Sequence, residues 1–236
     1  MKVCKVECFY SETKEQPFFL SSEQEEKVQM PDSYEEIKNF VFAKLINTSQ
    51  NLELLGSIPN KSILDLSLVY YIFKDHDPDE EEILITNEMI RKWNVKSFAL
   101  FQDAMFNTRN LLGKMVRPLR EVINEMLGRI CEDICVDEEP EDGLPMYVLT
   151  NNWKRNGAVC MLFMDSLKEF AESLESDLYV IPSSIHEVIL VPKYAEVNRS
   201  ALDRIICDIN YSELREEDVL SDHTYLYSRK ADRIVM

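Results

Sequence analysis

Within Ser183-Ser184-Ile185-His186-Glu187, two hydroxyls, an imidazole and a carboxylate fall inside five residues. A serine nucleophile needs a base within hydrogen-bond reach, and that base needs a third group to orient it. Ser183, Ser184 and His186, with Asp165 as a distant carboxylate, are therefore the candidates for a hydrolase or transferase site. Two features count against it. On a strand that begins at His186, that residue faces with Val188 and Leu190, whereas Glu187 faces the other way with Ile189. No Gly-x-Ser-x-Gly elbow surrounds the serines, so the strained turn of that hydrolase class is missing. The simpler role for the serines is to close a hairpin turn through side-chain to backbone hydrogen bonds.

Metal chemistry has less to build on. The chain holds three histidines (His76, His186 and His223) and six cysteines: Cys4, Cys8, Cys131, Cys135, Cys160 and Cys207. Cys131 and Cys135 share a helical face, but a structural zinc site needs four ligands and no second pair stands at familiar spacing. A metal-dependent sensor built from cysteines and His223 is the weakest reading. No metal and no cofactor is expected. The cysteines follow no apolar leader, which places them, reduced, in a cytoplasmic protein.

Charge says more. The net charge is −17, with 43 acids against 26 Lys and Arg. Such a surface repels nucleic acids and anionic membranes, so neither is an expected partner. Residues 75–82 carry six acids and residues 132–142 seven, with no Lys or Arg in either run. A solvated face explains both runs. The sharper reading is a surface for a basic protein, formed by Asp77, Asp79, Glu80, Glu81 and Glu82, and in a special case a nucleic-acid mimic that blocks such a protein. Residues 151–157 (Asn-Asn-Trp-Lys-Arg-Asn-Gly) form a locally basic turn. Asn156-Gly157 reads as a tight hairpin, with Trp153 at its tip as an interaction anchor. A non-enzymatic interaction or regulatory protein is the function that best accounts for the charge.

The elements that must position these groups read as α+β. Ser33, three residues before Glu36, predicts a capped helix start, and Ile37, Phe40, Val41, Lys44 and Leu45 recur at helical spacing. Residues 62–73 alternate as a strand, followed by an acidic tip and a short strand over 83–86. Asn87 caps a helix to Trp93, and further helices follow over 97–112 and after Pro118. The later chain alternates: strands over 146–150 and 158–164, a helix from Asp165, and strands Leu178–Ile181 and 187–191 paired antiparallel. A helix over 198–209 and two short strands, 224–228 and Arg233–Val235, close it. Mostly antiparallel sheets with packed helices are expected, in two halves. Residues 1–32 form an N-terminal extension, 33–135 and 146–236 the halves, and 136–145 an acidic linker.

Some stretches carry a resemblance. Met146-Tyr-Val-Leu-Thr-Asn151 leads to Asn156-Gly157-Ala158, then to Leu167-Lys-Glu-Phe-Ala171 and to Pro182-Ser-Ser-Ile-His-Glu187. With Leu64-Asp-Leu-Ser-Leu-Val-Tyr-Tyr71, Phe73, Ile85-Thr-Asn87 and Trp93, the order resembles the bacterial domain-of-unknown-function family 5688, from about residue 33 to the end. The resemblance implies no catalytic residues and no cofactor.

Overall fold

Val41-Phe-Ala-Lys-Leu-Ile-Asn47 decides the first sheet. In the computed structural model, which describes residues 31–73, 82–130, 144–182, 184–193, 198–212 and 214–236, helix α1 (Tyr34–Ile37) is capped by the Ser33 hydroxyl as its sequence predicts. The helix stops there. A 3-10 turn follows, and the chain extends into strand β1 (Val41–Asn47), where the spacing of apolar residues predicts a continued helix. The reason is burial on both sides. Val41, Ala43 and Leu45 enter the main core, while Phe42 and Ile46 enter separate clusters on the opposite face. A strand covered on both faces loses the polar alternation that marks strands in a sequence.

Helix α2 (Leu52–Ser57) leads to β2 (Asn60–Ile63) and β3 (Leu66–Ile72). The single strand expected over 62–73 is thus a hairpin, turned through Leu64 at φ 58° and Asp65. Strand β4 (Ile83–Leu84) pairs antiparallel with the end of β3, as expected of the acidic hairpin. The tip itself, residues 74–81, lies outside the described residues. Helix α3 (Asn87–Trp93) is capped by Thr86 rather than Asn87. Helix α4 (Ser97–Asn107) continues as a π turn to Leu112.

β1 is the edge of a four-stranded antiparallel sheet in which β3 lies between β1 and the shared side of β2 and β4. An open edge invites pairing with other chains. Here the end of α4 covers it. Asn107 Nδ2 donates to the carbonyls of Lys38 (2.7 Å) and Val41 (2.8 Å), and Thr108 Oγ1 accepts from the Ala43 amide at 2.9 Å.

The second sheet has six antiparallel strands. β5 (Met115–Pro118) precedes α5 (Leu119–Ile130), and β6 (Tyr147–Thr150) follows residues 131–143, which lie outside the described set. Then come α6 (Met164–Ser173), β7 (Leu178–Ile181), β8 (Val188–Pro192), α7 (Arg199–Ser212), β9 (Tyr225–Ser228) and β10 (Arg233–Val235). The order is β10-β9-β7-β8-β6-β5, with β7 and β8 antiparallel as expected. β5 and β6 pair across the 136–145 segment, so the sheet draws on chain from both sides of it.

Residues 158–164 are not a strand. Gly157–Leu162 is a 3-10 segment, and the chain does not return through a hairpin at Asn156-Gly157. Ala158, Val159, Cys160 and Met161 are all fully buried, in a single core with β1 and β3 residues and with Val180, Val188 and Leu190 of the other sheet. A segment enclosed on every side has no polar face to betray its period.

Candidate functional site

The polar residues singled out in the sequence converge on the loop between β6 and the 3-10 segment. Asn151, 1% exposed, organises that loop. Its side-chain oxygen accepts the amides of Trp153 (3.0 Å) and Arg155 (3.3 Å), and its nitrogen donates to the Arg155 carbonyl at 2.7 Å. Lys154 and Asn156 take left-handed φ of 55° and 53°. Gly157 then passes very close to its neighbours. A Cβ there would lie 2.1 Å from Thr150 Oγ1, 2.5 Å from the His186 carbonyl oxygen and 2.7 Å from the Asn151 amide nitrogen. Only glycine fits such an approach.

This loop presents Asn156 to two partners. Its backbone N–H donates to His186 Nδ1 at 3.1 Å, and its side-chain nitrogen donates to Glu82 Oε2 at 2.7 Å. Glu82 Oε1 accepts from Lys44 Nζ of β1, and Arg155 stands 3.8 Å from Oε2. Burial alone would raise the Glu82 pKa, but Lys44, Asn156 and Arg155 outweigh it and hold the carboxyl below its ordinary range. Glu82 is therefore a structural anchor at the C-terminal end of the acidic run.

Beneath these contacts, a latch of Lys44, Glu82, Asn156 and His186, lies an aromatic cluster. Phe42, Tyr71, Phe73 and Leu112 are fully buried, and Trp153 packs on them with centroids 6.1 Å from Phe42 and 5.2 Å from Phe73. The Arg155 guanidinium covers the Phe73 ring at 5.0 Å. Trp153 is thus a packing residue, where the sequence suggests an exposed tip. The Tyr71 hydroxyl is buried near Asn156 but outside hydrogen-bond geometry. Burial pushes its pKa up, with the amide of Asn156 opposing weakly, so it stays a neutral phenol.

His186 precedes β8 rather than beginning it. Its Nε2 lies 3.3 Å from Asp218 Oδ1, and Arg215 Nε donates to Asp218 Oδ2 at 3.1 Å. Burial opposes ionisation of Asp218, yet His186 and Arg215 prevail and its carboxyl sits below the ordinary range. Ser184 Oγ, in a 5% exposed residue, accepts the His186 amide at 3.0 Å. That is the turn-closing role its sequence suggests. Ser183 lies outside the described residues. Burial pushes the Glu187 carboxyl up against the pull of His186 and Lys154.

Asp165 is elsewhere. It pairs with Arg109 at 2.6 Å and lies 3.9 Å from Lys114, while the carboxylate on His186 is Asp218. Nothing in Glu216-Glu217-Asp218 marks that role locally. Lys44 was hidden too, by the helical reading of its strand.

Of the proposed partner-binding acids, Asp77, Asp79, Glu80 and Glu81 lie outside the described residues, as do Cys4, Cys8, His76, Cys131 and Cys135. Cys160 is buried, and burial pushes its thiol up to about 12, which leaves it inert at neutral pH. Among the described residues, no three His, Cys, Asp or Glu side chains are placed to hold a metal ion, and no helix is long and apolar enough to cross a membrane.

A family model described as a family of unknown function, DUF5688, matches residues 11–229. The match begins well before residue 33, where the sequence resemblance first becomes legible. No curated protein and no solved structure matches the chain.

Proposed function

The chain belongs to DUF5688, and we propose that within this family it acts as a non-enzymatic, cytoplasmic interaction protein whose acidic run at residues 75–82 engages a basic protein. One observation carries the reading: Phe73, just before that run, and Glu82, its last residue, are both fixed. Phe73 is buried under Arg155 and Trp153, and Glu82 is held by Lys44 and Asn156. Ile72 and Ile83 are direct partners in the β3–β4 ladder, so the residues that bracket the run are held at one anchored place. Anchoring lowers the ordering cost that binding by a free segment carries.

The alternative, a hydrolase or transferase using the Ser-Ser-x-His-Glu cluster, is disfavoured by the bonding of His186. Its Nδ1 accepts from Asn156, so Nε2 carries the ring proton and is directed at Asp218. An imidazole engaged at both nitrogens has no lone pair to offer a serine.

The test must spare the anchor. Asp77→Asn, Asp79→Asn, Glu80→Gln and Glu81→Gln, with Glu82 intact, remove four charges. After crosslinking in the native host identifies a basic partner, its association rate should fall with salt and drop at least tenfold for the variant, with dissociation changed far less. A partner that associates with the variant at the wild-type rate, at every salt concentration, overturns the reading.

A further inference from the structure

Helix α4 carries aromatic rings on the side that the core does not use. Phe98, Gln102 and Phe106 recur every fourth residue, which puts them on one face of the helix. Phe98 is 68% exposed and Phe106 66%, whereas Leu100, Ala104 and Asn107 on the other side are buried. A lone exposed aromatic is ordinary, but two on one helical face form a patch of the kind that marks a contact surface. Beyond Phe106 the patch runs into a groove of about 670 Å³, whose apolar lining comes from Met105, Phe106, Leu162 and Phe163. Arg109 and Asp165, paired with each other at 2.6 Å, line it as well.

Two observations name the occupant. The first is where the chain enters the fold. Trp93 Nε1, just before α4, donates to the Pro31 carbonyl at 2.9 Å, Lys92 pairs with Asp32 at 2.7 Å, and the Tyr34 hydroxyl donates to Asp103 of α4 at 2.8 Å. The residues before Pro31 are therefore tethered beside this helix. The second is the family match, which begins at residue 11, so residues 11–30 belong to the unit that the family shares. Within them, Pro17-Phe18-Phe19-Leu20 is the one run of consecutive apolar residues. Reach is ample. Phe106 lies about 14 Å along the helix from Ser97, at roughly 1.5 Å per residue, and the eleven residues from Leu20 to Pro31 span up to about 36 Å.

Charge argues the same way. Lys61 Nζ sits over the Phe101 ring at 4.0 Å, and Lys96 is exposed at the start of α4. Glu23, Glu25 and Glu26 follow the apolar run and carry the opposite sign. A second copy of the chain would instead bring another −17 against the face. A tethered segment adds no second body and acts at high effective concentration. We propose that Pro17-Phe18-Phe19-Leu20 docks on the Phe98–Phe106 face of its own molecule, so that α4 is an internal binding site for the N-terminal segment.

Gln102→p-benzoylphenylalanine places a photoprobe between the two rings and leaves both intact. The full-length protein, mixed from isotopically light and heavy preparations, is irradiated and read by peptide mass spectrometry. The probe should join residues 11–30 of the same copy, and a probe at Lys230, on the exposed β9–β10 turn, should do so at less than a tenth of that yield. Links between light and heavy copies would make the face an interface between molecules and overturn the proposal, as would equal yields from the two probes or no link to residues 11–30. Phe18→Ser with Phe19→Ser and Leu20→Ser, in the full chain, should lower the Gln102 yield at least fivefold. The same variant should bind at least twofold more anilinonaphthalene sulfonate, and adding Phe98→Ser with Phe106→Ser should abolish that rise. Unchanged dye binding, or a rise that survives the second pair of substitutions, overturns the proposal.

Discussion

Glu82 and Asp65 are carboxylates of similar burial, with side chains 21% and 29% exposed, yet their surroundings are opposite. Glu82 has Lys44 on one oxygen, Asn156 on the other and Arg155 close by. Asp65 has two neutral hydroxyls and a histidine. The first charge is consumed inside the fold, where it joins β1, the start of β4 and the 151–157 loop. The second is solvated by hydroxyl dipoles, with the His223 imidazole 3.7 Å away. Burial and the Asp65 carboxylate push the Tyr225 phenol up, so Tyr225 remains a donor to Asp65 throughout the working pH range. Two acids in one small protein thus differ in what compensates them: a lysine for Glu82, neutral hydroxyls and a histidine for Asp65.

The latch is where disruption should cost most. Gly157→Ala places a methyl against the His186 carbonyl and the Asn151 amide, two backbone positions that cannot yield. We expect a loss of about 3 kcal/mol, the upper part of the range for overpacking, read from urea denaturation. Gly56→Ala is the matched control, since nothing lies within 4 Å of its added carbon. It should be neutral or stabilising by about 0.5–1 kcal/mol, as expected inside a helix. Next in size is Lys44→Met, which strips the Glu82 carboxylate of its main cation. Breaking a buried ion pair from one side costs roughly 3–5 kcal/mol. Arg155 and Asn156 remain, and the pair is partly exposed, so about 2 kcal/mol is expected. A loss under about 0.5 kcal/mol, within the usual range for surface changes, would mean that the fastener is idle.

The acid limb of stability gives a smaller effect of defined sign. Glu82 and Asp218 are held below their ordinary values of 4.5 and 3.8, so the unfolded chain binds protons more readily than the folded one. Their contribution is complete above those ordinary values and is lost as the pH falls through the depressed folded ones. Glu187, raised by burial, titrates with the opposite sign and blunts the loss. Glu82→Gln should therefore flatten the fall of the melting temperature between pH 5 and pH 3. An unchanged slope would remove Glu82 from the set of groups that drive acid unfolding.

How much of this was legible in the sequence depended on how each segment is covered. Strands β7 and β8 and helices α6 and α7 are bounded by clear turns or keep an exposed face, and the sequence places their ends within three residues. β1 and Ala158–Met161 are enclosed, so their side chains carry no period, and a helix and a strand were read where the reverse of an open face decides the matter. The β2–β3 turn was missed because Leu64-Asp65 has neither Gly nor Asn, the residues that ordinarily announce a left-handed turn. His186 and Ser184 were visible as chemical types. Their partners, Asn156 through its backbone and Asp218 across 32 positions, are set by tertiary packing and leave no local spacing to read.

The smallest expected effect is the most discriminating. In Asp65→Asn the new side-chain oxygen still accepts from Tyr225, and the Ser221 hydroxyl can turn to accept from the new amide nitrogen. What disappears is the negative charge. Because no Lys or Arg among the described residues pairs with it, no buried cation is left behind, and the change should cost about 1 kcal/mol or less, the net worth of one hydrogen bond. Glu82→Gln performs the same neutralisation beside Lys44, and there the ammonium is left without its counter-charge. Paired urea titrations of the two variants, read at equal m-values, measure the difference directly. Glu82→Gln should lose at least about 1 kcal/mol more than Asp65→Asn, the gap between a charge-assisted and a neutral hydrogen bond. Equal losses would mean that Asp65 is held by a cation that the fold itself supplies, as Glu82 is by Lys44.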